Sequence, residues 1–264
     1  MDRSGSGQRY RSVNLTGLAL GVAVLLAITS AVMAWAGVGI AARPWWAVAR
    51  AIGQLALISL ALHGVLTRPP LVALALAVMA AVATWTSSRN LRSLPGSVSA
   101  VLLAVLVAST LTLVVAFTLR MLPLESRYVV ALGGIVIGNT MTATTLAGRT
   151  FQRLSVASRH ELEGWLAIGA TPSEATVGIG RAAVSDAVRP VLDQTRTTGL
   201  VTLPGAFVGA LMAGASPWVA GRFQLVVLVC LITTQTMAAV IVVRLLGRSP
   251  MLIESVEPPA GQHL

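Results

Sequence analysis

Long apolar runs joined by short polar stretches dominate the chain. Residues 15–36, 98–119 and 128–147 run to about 20 residues without a charge, and 225–246 does so with Arg244 near its end as its one charge; this is the length an α-helix needs to cross about 30 Å of hydrocarbon. Three shorter runs, 51–66, 71–86 and 198–213, have Trp45, Trp46, Trp85 and Trp218 at or near their ends. Interfacial tryptophans extend such segments to the membrane surface. The pattern therefore predicts an all-α, polytopic transmembrane helix bundle of about seven spans, organised as a single domain over residues 1–264. Leu203-Pro204-Gly205 is expected to kink or break the sixth span.

One long stretch, 149–196, interrupts this pattern. Leu162, Trp165, Leu166 and Ala170 recur at helical spacing, with Arg159, His160, Glu161 and Glu163 on the other face, which predicts a short amphipathic helix. Gly169 ends it. Thr171-Pro172-Ser173-Glu174 then opens a second helix, with an N-cap threonine, proline at the first helical position and glutamate closing a capping box. Two readings of this two-helix segment stand: helices lying on the membrane surface, or a docking element for a separate partner.

Composition agrees with lipid as the main solvent: 55% of residues are hydrophobic and 11% charged, too apolar and charge-poor for a soluble domain. All 19 basic residues are arginine. They are scattered between apolar runs without interleaved aromatics, so the net charge of +10 does not indicate nucleic acid. With no lysine, the chain cannot carry a P-loop of the form G-x-x-x-x-G-K-[ST]. Seven spans put twelve arginines on one side and seven on the other. The richer side is expected to be cytoplasmic, with the 149–196 segment and the C-terminus inside and the N-terminus outside, in a cell inner (plasma) membrane. Arg3, Arg9 and Arg11 oppose that local assignment. A cleaved signal peptide ending at Ala34-Trp35-Ala36 is rejected, because its apolar core is too long.

Polar groups within the spans must face protein or water. Gln54, His63, Asn139, Thr140, Thr142, Thr144 and Thr145 therefore point inward, either touching substrate or bonding across helices. Glycines four apart at 17/21, 134/138 and 205/209 predict close helix approach within the bundle or in a homodimer. Cys230 reads as a small buried hydrophobe. All nine acidic residues fall outside the seven expected spans. That argues against a proton-coupled carrier and leaves no visible tight metal site in the membrane.

Several motifs together carry a family resemblance: Arg50-Ala51-Ile52-Gly53-Gln54-Leu55, Gly134 with Gly138-Asn139-Thr140-Met141, Gly169-Ala170-Thr171-Pro172, Gly199-Leu200-Val201-Thr202-Leu203-Pro204-Gly205, Ala213-Gly214 with Pro217, and Gln224. From residue 50 to 243 the chain resembles permeases of the FetB type, whose bacterial members are associated with iron export through an ABC system. Plant members are linked to aluminium tolerance and sugar-nucleotide transport. Glu163 followed by Gly169 and Ala-Thr-Pro also resembles the E-A-A-x-x-x-G coupling loop of ABC permeases, with Gly164 and Trp165 in place of the two alanines. The resemblance implies a homodimeric or paired transmembrane unit without enzymatic chemistry of its own. A separate ATP-binding subunit holding ATP and Mg would contact Glu161, Glu163, Trp165, Gly169, Ala170, Thr171, Pro172 and Glu174. The path for substrate is expected near Gln54, His63, Asn139, Thr140, Met141 and Pro204. A gradient-driven carrier or channel, and a membrane scaffold for a cytoplasmic partner, are the alternatives.

Overall fold

The computed structural model describes residues 15–248, without the side chains of residues 61–63 and 65–67. Arg3, Arg9 and Arg11 lie outside the described residues. Ten helices are present among those described: α1 (Leu15–Trp35), α2 (Arg43–Thr67), α3 (Pro69–Asn90), α4 (Ser97–Thr118), α5 (Ser126–Ala157), α6 (Arg159–Ala167), α7 (Pro172–Ala175), α8 (Val177–Thr197), α9 (Gly205–Met212) and α10 (Pro217–Leu246). Of these, α1, α3, α4, α5 and α10 are long and apolar enough to cross a membrane. The chain divides into two units at Gly64.

The first unit holds α1 and most of α2. Their connection is fixed by polar side chains: Trp45 Nε1 donates to Ser30 Oγ at 2.9 Å, and Ser30 Oγ donates to the Ala41 carbonyl at 2.9 Å. No residue of α1 is buried, as suits a helix solvated by lipid.

In the second unit α3, α5 and α10 run parallel. Leu76 lies against Gly133 and Leu91 against Gly148, which registers α3 on α5. Tyr128 meets Phe223 at one end of the α5–α10 pair, with ring centroids 6.0 Å apart, and Phe151 approaches Gly247 at the other. Helix α4 packs against α3, α5 and α10. It does so with a ridge of small residues, Ala100, Ala104, Ala108, Thr112 and Ala116, all buried. Lipid offers apolar side chains as good a solvent as protein does, so close approach by small residues, not hydrophobic transfer, holds such helices together. Of the glycines expected to do this, Gly134 meets Met79 of α3 at 3.6 Å from a Cβ position, while Gly138, Gly205 and Gly209 have no neighbour within 4 Å in the single chain. Gly133 and Gly148 take that role. A Cβ there would fall 2.5 Å from Leu76 Cδ2 and from Leu91 Cδ1 respectively.

Two sequence expectations are corrected here. Residues 198–213 form no sixth span, because Thr198–Pro204 is irregular and α9 has 8 residues, a rise of about 12 Å. The break falls at the Pro204 kink. Second, the helix capped by Thr171 is only the four-residue α7, which passes through buried Thr176 into α8. Gly180 of α8 sits against Val243 near the end of α10, and Phe207 of α9 lies beside Gly221 near its start. So α8, the linker and α9 return together, antiparallel to α10.

Arginines mark both ends of this bundle. Arg127 and Arg149 on α5, and Arg222 and Arg244 on α10, are the same number of positions apart, about 33 Å of helix. At one end Arg127 stacks over Tyr128. At the other Arg89 stacks over Trp85, and Arg149 Nη2 donates to Asn90 Oδ1 at 3.0 Å. The spacing matches a bilayer core, and stacked Trp and Tyr suit its two interfaces.

Candidate coupling surface and polar core

Helix α5 continues ten residues beyond the expected end of its span, about 15 Å, and so carries α6 away from the bundle end. Only Leu162 anchors α6 by burial, at 2% exposure. Of the expected apolar stripe, Leu166 and Ala170 are half-buried and Trp165 is exposed at 49%, while Ile168, outside that stripe, is exposed at 77%. Arg159 Nε donates to Glu163 Oε1 at 2.7 Å, and His160 Nδ1 lies 3.8 Å from the other oxygen. The Arg159 hydrogen bond, with the positive charges of Arg159 and His160, holds the Glu163 carboxyl below its ordinary range. Glu161 occupies the first turn, where a carboxylate complements the helix dipole.

The corner is rigid for reasons written in its backbone. Gly169 has φ +92°, a conformation that glycine adopts without Cβ strain. Its N–H bonds the Leu166 carbonyl at 2.9 Å, and the Ala170 N–H bonds the Trp165 carbonyl at 3.0 Å. Those two bonds are a Schellman cap. The expected capping box follows at once. Glu174 N–H donates to Thr171 Oγ1 at 3.3 Å and Thr171 N–H to Glu174 Oε2 at 2.8 Å. Accepting that backbone bond and one from the Thr171 hydroxyl lowers the Glu174 pKa. Pro172 supplies the preset first-turn φ. Residues 161–174 thus form one continuous, doubly capped projection.

The residues expected along a substrate path fall in several places. Asn139, Thr140 and Met141 are consecutive on α5, and they belong to an interhelical polar network. Thr140 is fully buried, 2.9 Å from Thr234 Oγ1 on α10 and 3.2 Å from Ser109 Oγ on α4, while Gln235 Nε2 donates to Asn139 Oδ1 at 3.2 Å. The Met141 carbonyl accepts from Ser87 Oγ of α3 at 2.9 Å, and the Ser87 hydroxyl also lies 2.9 Å from Thr144 Oγ1. Pro204 caps α9. Gln54 is exposed on α2 in the first unit, and the side chain of His63 lies outside the described residues. Ser87, Ser109, Thr234 and Gln235 were not singled out from the sequence, although hydroxyls and amides inside apolar runs were the available signal.

A cavity of about 660 Å³ opens between α5, α7, α8 and α10 at the projecting end, lined by Phe151, Thr176, Val184 and Val243 and by Arg181, Arg244 and Arg248. Nothing in the periodicity pointed to it, since its walls are distant in sequence. Among the described residues no group of three or more His, Cys, Asp or Glu side chains could hold a metal ion.

A family described as "Uncharacterised protein family (UPF0014)" matches residues 16–251. The chain belongs to this family. It is 32% identical over 205 residues to the UPF0014 membrane protein STAR2 of Oryza sativa subsp. japonica, covering 77% of this chain and 72% of the relative. It is 32% identical over 200 residues to Protein ALUMINUM SENSITIVE 3 of Arabidopsis thaliana (74% and 72%). Against the "Probable iron export permease protein FetB" of Escherichia coli strain K12 it is 26% identical over 198 residues (74% and 76%). No solved structure matches the chain. Family and helices together make this a multi-pass membrane protein, and the FetB-type resemblance read from the motifs holds.

Proposed function

We propose that the chain is the permease subunit of an ABC transporter, exporting a metal ion such as iron and driven by a separate ATP-binding subunit that docks on α6 and α7. The observation that carries this reading is the projecting corner. Trp165 and Ile168 stand exposed beside Gly169 on an element held by a Schellman cap, a capping box and an ion pair. An exposed aromatic and aliphatic pair on a rigid, prepaid geometry is the form of an interface anchor. The iron assignment takes its support from the name of the Escherichia coli relative. ATP would be bound by the partner with Mg, since a chain without lysine has no P-loop. The arginine-rich end, which carries the corner, would face the cytoplasm of a plasma membrane, and two copies would form the transmembrane unit.

Co-purification of the chain with an ABC ATPase encoded beside it is the test. The complex is expected to be lost on Gly169→Trp and on Glu163→Arg, with the permease still extracted as a folded membrane protein. A complex indifferent to both substitutions overturns the docking assignment.

A further inference from the structure

Helix α8 reads from sequence as part of a polar excursion outside the membrane, yet it is packed along α5 and α10. Gly180 touches Val243, next to Arg244. From that level α8 climbs antiparallel to α10, so Asp186 and Asp193 stand about 9 and 20 Å further in. They lie between the two arginine belts, alongside the apolar run of α10. Arg189 and Arg196 lie there too. The buried face of α8 is Gly180, Ala183, Ala187, Val188 and Val191, while the four charged side chains are 42–79% exposed. Exposed charges at that depth do not face lipid. Each aspartate already has an arginine three residues on, at 3.6 Å for Asp186–Arg189 and 3.7 Å for Asp193–Arg196. A dry interface with a second copy would strip water from all four while adding no missing counter-charge. Water is the environment that fits.

One position on this face also presents paired oxygens. Pro190 lies inside α8 and has no N–H, so the Asp186 carbonyl loses its helical donor beside its own carboxylate. Freed carbonyls and carboxylates are the ligands of hard cations. From this we infer that the charged face of α8 lines a water-filled translocation path for oxygen-preferring metal cations, with Asp186 as one station and Asp193, two turns on, as the next. The inference rests on the permease reading and names the substrate class and the path residues within it.

The test uses the full chain in proteoliposomes without any ATPase, so its failure is separable from failure of the docking assignment. In a Cys230→Ala background, single cysteines replace Arg189, Arg196 or Val229. Val229 is exposed on the apolar run of α10. A membrane-impermeant maleimide is expected to label the first two and not the third. Mn2+ is expected to slow labelling at position 189 about tenfold once roughly nine-tenths of sites are filled, and Asp186→Asn to abolish that protection. Cysteines at 189 and 196 as unreactive as the one at 229 overturn the aqueous path. Labelling that ignores Mn2+, or protection that survives Asp186→Asn, overturns the cation station.

Discussion

Gly148 and Gly138 lie on the same helix and differ in what a methyl group would meet. At Gly148 it would collide with buried Leu91 of the α3 terminus, and overpacking of that kind costs about 1–3 kcal/mol. Gly148→Ala is expected to lower the thermal midpoint in detergent, whereas Gly138→Ala, with open space around it, leaves it unchanged or raised. Equal shifts for both would refute the close approach. Regular four-residue spacing marks Gly134 and Gly138 but passes over Gly133 and Gly148, because spacing shows which residues share a face but not which face is covered. Glu174 shows the opposite case, a residue whose role was legible from Thr171-Pro172-Ser173-Glu174 alone. Its folded-state pKa lies below the ordinary 4.5. The carboxylate's contribution is therefore complete at neutral pH and is lost as pH falls through the lowered value. Amide protection at Glu174 and Ala175, relative to intrinsic exchange, is expected to fall with acidification in that window. Glu174→Gln keeps an acceptor and should make the protection independent of pH.

Among elements, the α4–α5–α10 contact depends on a knot at Thr140. Hydroxyl–hydroxyl bonds between membrane helices contribute about 0.6 kcal/mol on average and up to about 1.7, so Thr140→Val should destabilise by about 1 kcal/mol in reversible unfolding. The three-helix placement further predicts that Ser109→Ala in the Thr140→Val background costs little more, a non-additivity measurable by a double-mutant cycle. Full additivity would mean the two hydroxyls act separately. Inward-facing polarity was readable from the sequence, since lipid forbids the alternative. Whether Asn139 and Thr140 meet substrate or neighbouring helices was left open, and their partners Thr234 and Gln235 lie about a hundred positions away. Helix α6 behaved similarly: its amphipathic pattern was plain, but which apolar residues it covers depended on how far α5 carries it beyond the bundle.

For the whole molecule, the belts of arginine predict sidedness. A single cysteine at exposed His160 and another at exposed Leu124, between α4 and α5, should react with impermeant reagent from opposite faces of oriented vesicles. Reaction from one face alone would refute the bundle's assignment to the bilayer. The path inferred along α8 would also remove the argument, drawn from absent carboxylates, against a carrier that works without ATP. ATP dependence of Mn2+ flux in proteoliposomes decides that question. The membrane solvent, the helical class, the Thr171–Glu174 cap and the Gly169 corner were determined by the sequence itself, because each rests on composition or on contacts within a few residues. The sixth crossing was not. Residues 198–213 are apolar enough to suggest one, and 177–197 are charged enough to be dismissed. Only the packing of α8 against α5 and α10, with Gly180, Ala183, Ala187 and Val191 buried, sets the charged helix alongside the spans, followed by the short α9. Depth in a bundle is a property of neighbours, and those neighbours are far apart along the chain.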